Sequence, residues 1–201
     1  MSATASLKAL FAIAILWFAL SLGTVLLGVF AGEGIRPALL VILYVFLPLC
    51  LFGVVYANSA PFRGTVLSLD MRLVVLVQTL RVIGGVFLVY YAYGLLPGLF
   101  AFPAGLGDVA IGATAPFVAA VVLSKQPFPR RAFVLWNLLG ILDLVCAVSL
   151  GILTSSSSLG LLASGITIQP LLSFPLGLIP AYGVPLTLVL HVVALLQAQR
   201  K

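Results

Sequence analysis

LVVLVQTLRVIGGVFLVYYAYGLL, residues 73–96, is an apolar run whose one charged residue, Arg81, lies nine positions past Arg72. A hydrocarbon core about 30 Å thick is crossed by about 20 apolar residues. The stretch therefore reads as a membrane-spanning helix with an arginine near its middle. Working outward from it, the same reading gives spans at 7–31, 35–57, 99–123, 132–153 and 177–197. The breaks between them carry turn chemistry: Gly32-Glu33-Gly34, Asn58-Ser59-Ala60-Pro61, Pro97-Gly98, Pro127-Phe128-Pro129 and Ser155 to Ser158.

Composition agrees with lipid as the solvent. Of 201 residues, 63% are hydrophobic and 7% charged, against about 25% charged in a soluble domain. No soluble domain fits beside six spans, so residues 1–201 read as a single transmembrane domain, an all-α integral membrane bundle. The net charge of +6 comes from basic residues scattered singly between apolar runs, which excludes a nucleic-acid-binding patch. The lipid bilayer is the expected partner. The first run is longer than a cleaved leader's apolar core of about 7–15 residues, so it reads as a retained helix.

Cytoplasmic loops collect Lys and Arg. Lys8, Arg63, Arg72, Lys125, Arg130, Arg131, Arg200 and Lys201 fall on one side of the six-span arrangement, and Arg36 alone on the other. Both termini are therefore expected in the cytoplasm, in a cell membrane of the bacterial inner type. Prolines 170, 175, 180 and 185 each remove a backbone donor, so a broken or re-entrant segment is expected before the last helix. Tyr90, Tyr91, Tyr93 and Tyr182 on one side, and Tyr56 and Trp136 on the other, read as interfacial aromatic belts. Cys50 and Cys146 read as small buried hydrophobes with no disulfide between them, and Gly28 and Gly32 as a small-residue pair on the first helix. That pair leaves room for a homo-oligomer or a membrane partner subunit.

Arg81, Asp108 and Asp143 lie inside spans, as does His191, the one histidine. A charge at membrane centre costs about 2.5–3.5 kcal/mol on insertion scales, so these groups must face protein. Asp108 comes nine residues after Leu99 and Asp143 eleven after Ala132. At about 1.5 Å per residue they share the depth of Arg81. Helical spacing puts Gln78, Gly84 and Gly85 on the face of Arg81, Ala101, Ala104, Gly105, Gly112 and Ala115 beside Asp108, and Gly140, Cys146 and Ala147 beside Asp143. Thr187 and Ala194 flank His191. These small residues let the four faces meet. Gln78, Asn137 and Thr187 are secondary polar candidates. The expectation is that Arg81 neutralises one acid, Asp143, and leaves Asp108 and His191 as a proton-exchanging couple.

The Gly105-x-x-Asp108-x-x-x-Gly112 spacing is echoed by Gly140-x-x-Asp143-x-x-x-Ala147 on an oppositely directed helix, as in transporters built from inverted repeats. One histidine gives no metal triad or bis-histidine haem, so no metal and no cofactor is expected. The best functional reading is a small proton- or ion-coupled transporter or permease, with a structural or accessory membrane subunit as the alternative.

Gly105-Leu106-Gly107-Asp108 also resembles the GxGD signature of intramembrane aspartyl proteases, which implies a membrane hydrolase using two aspartates. That family places its other aspartate on an earlier helix after a tyrosine and follows GxGD with Pro-Ala-Leu. Here Asp143 comes later and follows Leu142, and Pro37-Ala38-Leu39 lies upstream.

Overall fold

The computed structural model describes residues 3–32 and 34–200 and is all-helical, with no strand among them. Six helices are long and apolar enough to cross a membrane. They belong to α1 (Ala3–Leu26) and α2 (Arg36–Asn58), then α4 (Met71–Ala92), α5 (Gly98–Ser124), α6 (Arg130–Leu153) and α7 (Ile179–Ala198). A short helix, α3 (Ala60–Ser68), bridges α2 and α4. Glu33 of the first turn and Lys201 of the basic C-terminal end lie outside the described residues.

Local chemistry sets the ends. Ser59 starts α3 by accepting the amide of Phe62 at 3.3 Å, with Pro61 in the first turn, and Asp70 starts α4 by accepting the amide of Arg72 at 2.8 Å. Such caps satisfy donors that the first helical turn leaves free. Gly94, at φ +70°, turns the chain out of α4 and truncates the expected span. Gly28 (φ +63°) and Gly32 (φ +130°) do the same after α1. The expected small-residue pair is therefore corrected: both glycines serve the turn beyond Leu26, in a left-handed region open to glycine.

Val75, Gln78, Arg81, Gly84 and Phe87 are all buried at a spacing of three along α4. The reason is that Val77 to Gly85 winds as a 3₁₀-helix, flanked by α-helical turns. Residues three apart eclipse one another in this geometry, and runs beyond 3–4 residues are uncommon. Gly85, expected on the Arg81 face, is rotated off it and half-buried. At the far end of the bundle, Thr154 to Leu178 forms turns and a 3₁₀ stretch at Gln169–Leu172, and α7 opens with a π-helical turn at Ile179–Gly183.

Two apolar clusters fill the interior. One holds Phe87, Phe100, Ala104, Leu144 and Leu188, and the other Val75, Ala115, Phe133 and Val193. On each of α4 to α7 the polar candidates fall between a residue of one cluster and a residue of the other. They thus form a polar layer between two apolar ones. Cys50 and Cys146 are free and exposed, which corrects the expectation of buried thiols. In a lipid solvent an apolar, uncharged side chain loses nothing by facing outward, so small size no longer implies burial.

Candidate functional site at the bundle midplane

Arg81 is the hub. Its Nε donates to Asp108 Oδ1 at 2.7 Å, its Nη2 donates to Asp143 Oδ2, and its Nη1 donates to the Gly140 carbonyl at 3.1 Å and to His191 Nε2 at 3.1 Å. Four helices therefore converge on one guanidinium. The expected partition, with Asp143 paired and Asp108 left over, is corrected: both carboxylates bind the same cation. The guanidinium is a planar fork of five donors, so it can take two acids at once where an ammonium would act as a single point.

The expected proton couple changes with it. A guanidinium only donates, so His191 Nε2 must accept and the ring proton sits on Nδ1. That proton is directed to Asn137 Oδ1 at 2.9 Å, and Asn137 Nδ2 in turn donates to the Phe133 carbonyl at 2.9 Å. His191, fully buried, is thereby held in one neutral tautomer as an extension of the arginine's coordination. The edge of Trp136 closes one side of it, with ring centroids 5.5 Å apart. Of the secondary candidates, Asn137 joins the network directly. Gln78 donates to the Thr187 carbonyl at 3.2 Å, one 3₁₀ turn from Arg81, and its Oε1 is buried without a partner. The Thr187 hydroxyl turns back onto the Gly183 and Val184 carbonyls.

Glycines make the convergence sterically feasible. A Cβ on Gly84 would fall within the Asp108 carboxyl, one on Gly107 within the Asp143 carboxyl, and one on Gly140 within the His191 ring. Each polar side chain thus lies in a notch of the neighbouring helix. In the GxGD stretch Gly107 makes room for Asp143. The two carboxylates share a guanidinium, and no hydrogen bond joins them to each other.

One arginine against two aspartates and a neutral histidine leaves the cluster with one formal negative charge too many. Asp108 Oδ2 makes no hydrogen bond among the described residues. Asp108 also lines a cavity of about 60 Å³ whose wall includes Phe87, Phe100, Leu144, Val148, Leu172 and Val184 and reaches Ser155, Ser156 and Ser157. It is the one charged residue of that lining. One probe sphere's worth of space, about 10–15 Å³, suffices for a water, so the cavity has the volume for a few, with Asp108 and the serines as their polar partners. Nothing in the spacing of charged residues announces this cavity, because its walls are ordinary apolar side chains.

An apolar helical bundle with an acid-rich charge cluster at its centre defines the class, a multi-pass membrane protein. The chain belongs to the family described as Domain of unknown function (DUF8737), matched over residues 37–198. The match takes in every residue of the cluster and leaves out α1. No curated protein and no solved structure matches the chain. Among the described residues no group of three or more His, Cys, Asp or Glu side chains is placed to hold a metal ion.

Proposed function

We propose that this protein is a small proton- or ion-coupled transporter or permease, with Arg81, Asp108 and Asp143 as the coupling centre. The observation that carries the reading is the cavity joining the serine run at 155–157 to Asp108. A buried cluster with one excess negative charge is costly in a low-dielectric interior, and a proton or monovalent cation arriving through that cavity would neutralise it at the free Oδ2. With Asp108 neutralised, Arg81 retains Asp143 as its counter-ion. The hydrogen bonds along one face of the 3₁₀ stretch can then redistribute, and mid-helix 3₁₀ segments are recurrent hinge positions. The apolar wall suits a small solute with little polar surface.

In this reading residues 1–201 form one transmembrane domain in a cell membrane of the bacterial inner type. Both termini and the Lys125–Arg131 loop face the cytoplasm, Ser155 to Ser158 faces the other side, and the proline-rich stretch before α7 is re-entrant. The accessory-subunit alternative draws on the four hydrogen bonds of Arg81 and its glycine notches, which would also make a rigid structural joint.

Reconstitution in liposomes with an internal pH indicator separates the two. The transporter reading expects proton movement when one solute of a broad panel is added, abolished by Asp108→Asn while the melting temperature stays near the wild-type value. No flux with any solute, together with an Asp108→Asn change confined to stability, would overturn it in favour of the structural joint.

A further inference from the structure

We propose a second site, independent of the transport reading, that binds the headgroup of an anionic phosphodiester lipid of the phosphatidylglycerol type. It is a cavity of about 340 Å³ at the basic end of the bundle, where the start of α4 meets the ends of α5 and α7, lined by Leu69, Asp70, Arg72, Leu123, Gln197 and Arg200, among others.

Gln197 carries the argument. It is 5% exposed, and its Nε2 donates to the Val66 carbonyl at 3.2 Å and the Leu69 carbonyl at 2.8 Å. Two carbonyls fix which end of the amide is NH₂, so Oε1 is held as a buried acceptor with no partner. An unmet acceptor of this kind costs free energy unless a donor arrives.

The charged lining states what else the donor must carry. Arg72 spends one contact on the Ser124 hydroxyl at 3.1 Å, and the Arg200 guanidinium makes no hydrogen bond among the described residues. Two arginines and Asp70 sum to one positive charge. A phosphodiester supplies one negative charge, arginine forks suit phosphate oxygens, and a glycerol hydroxyl supplies the donor for Gln197. Leu69 and Leu123 offer apolar surface to the glycerol backbone. Basic pockets between membrane helices are known lipid-headgroup sites. Choline lacks the donor, and ethanolamine leaves the site's positive charge unbalanced.

The test uses the full chain in detergent, with phosphatidylglycerol, phosphatidylethanolamine and phosphatidylcholine of identical acyl chains, and glycerol phosphate as the soluble control. Melting temperature and lipid retention in native mass spectra are the readouts. Phosphatidylglycerol should stabilise and be retained at concentrations where the other lipids are not. In the Arg72→Gln/Arg200→Gln double variant its affinity should fall about 25-fold, about fivefold per basic residue, with the lipid-free melting temperature unchanged. An equal response to either other lipid, or undiminished affinity in the double variant, would overturn the assignment. Equal protection by glycerol phosphate would make this a site for a soluble phosphate compound and overturn the lipid reading.

Discussion

In α2, 11% of the most apolar stretch is buried inside the protein, and in α7 the share is 44%. Both are apolar enough to cross a membrane, with hydropathies of 2.8 and 2.0, and the more apolar of the two is the less buried. What separates them is the polar content of one face. Between Arg36 and Asn58, α2 carries no charged side chain, whereas α7 carries Thr187, His191 and Gln197, all buried. In lipid there is no hydrophobic drive to hide a leucine, but there is a strong one to hide an imidazole or a guanidinium. The protein therefore sorts its helices by where their polar atoms go. Helices α4 to α7 close around the charge cluster, and α1 and α2 flank them, with Pro37, Ala38 and Val41 of α2 contributing apolar wall to the Asp108 cavity.

The contrast is sharpest under substitutions that act in one region and not the other. Arg81→Ala has the largest expected effect. It leaves two buried carboxylates without their cation, and removing one partner of a buried pair costs about 3–5 kcal/mol. Arg63→Ala, by comparison, loses hydrogen bonds from Nε to the Tyr56 carbonyl and Nη2 to the Ala57 carbonyl at the partly exposed end of α2, at about 1 kcal/mol. Denaturation in detergent should rank the two in that order, and equal stabilities would break the distinction between core and flank.

Gly107→Ala should cost about 1–3 kcal/mol as overpacking, because the new Cβ falls within the Asp143 carboxyl. The same change at Gly53 of α2 meets nothing within 4 Å. Alanine there should stabilise by about 0.5–1 kcal/mol, the ordinary helix preference over glycine. Melting curves for the pair should move in opposite directions. A shift of the same sign at both sites would mean that the glycine notches do not hold the charge cluster.

Much of this arrangement is legible in the sequence, and the reason is physical. Crossing a hydrocarbon layer demands long apolar runs, so the six spans can be read directly, and a charge within such a run has to turn inward. Arg81, Asp108, Asp143 and His191 are for that reason both the conspicuous residues and the ones that meet. Their pairing is less legible, because it depends on how far each helix is rotated. The change from 3.6 to 3.0 residues per turn between Val77 and Gly85 follows from tertiary packing that no local residue pattern specifies. A single guanidinium serving two acids is likewise a matter of relative helix position. The exposure of Cys50 and Cys146 is not legible either, because a small apolar side chain goes inside in water and has no such preference in lipid.

Coupling at Asp108 requires that water reach the charge cluster from the serine end. Leu144 is 2% exposed and lines the cavity next to Asp143, so a cysteine placed there is shielded from lipid and can be met only through that cavity. With Cys50 and Cys146 replaced by serine, Leu144→Cys in oriented vesicles should react with a small membrane-impermeant thiol reagent applied from the side of Ser155 to Ser158. Its rate should be comparable to that of Ser156→Cys, with no reaction from the Lys125–Arg131 side. Reaction only after denaturation would show a sealed cluster and contradict the account.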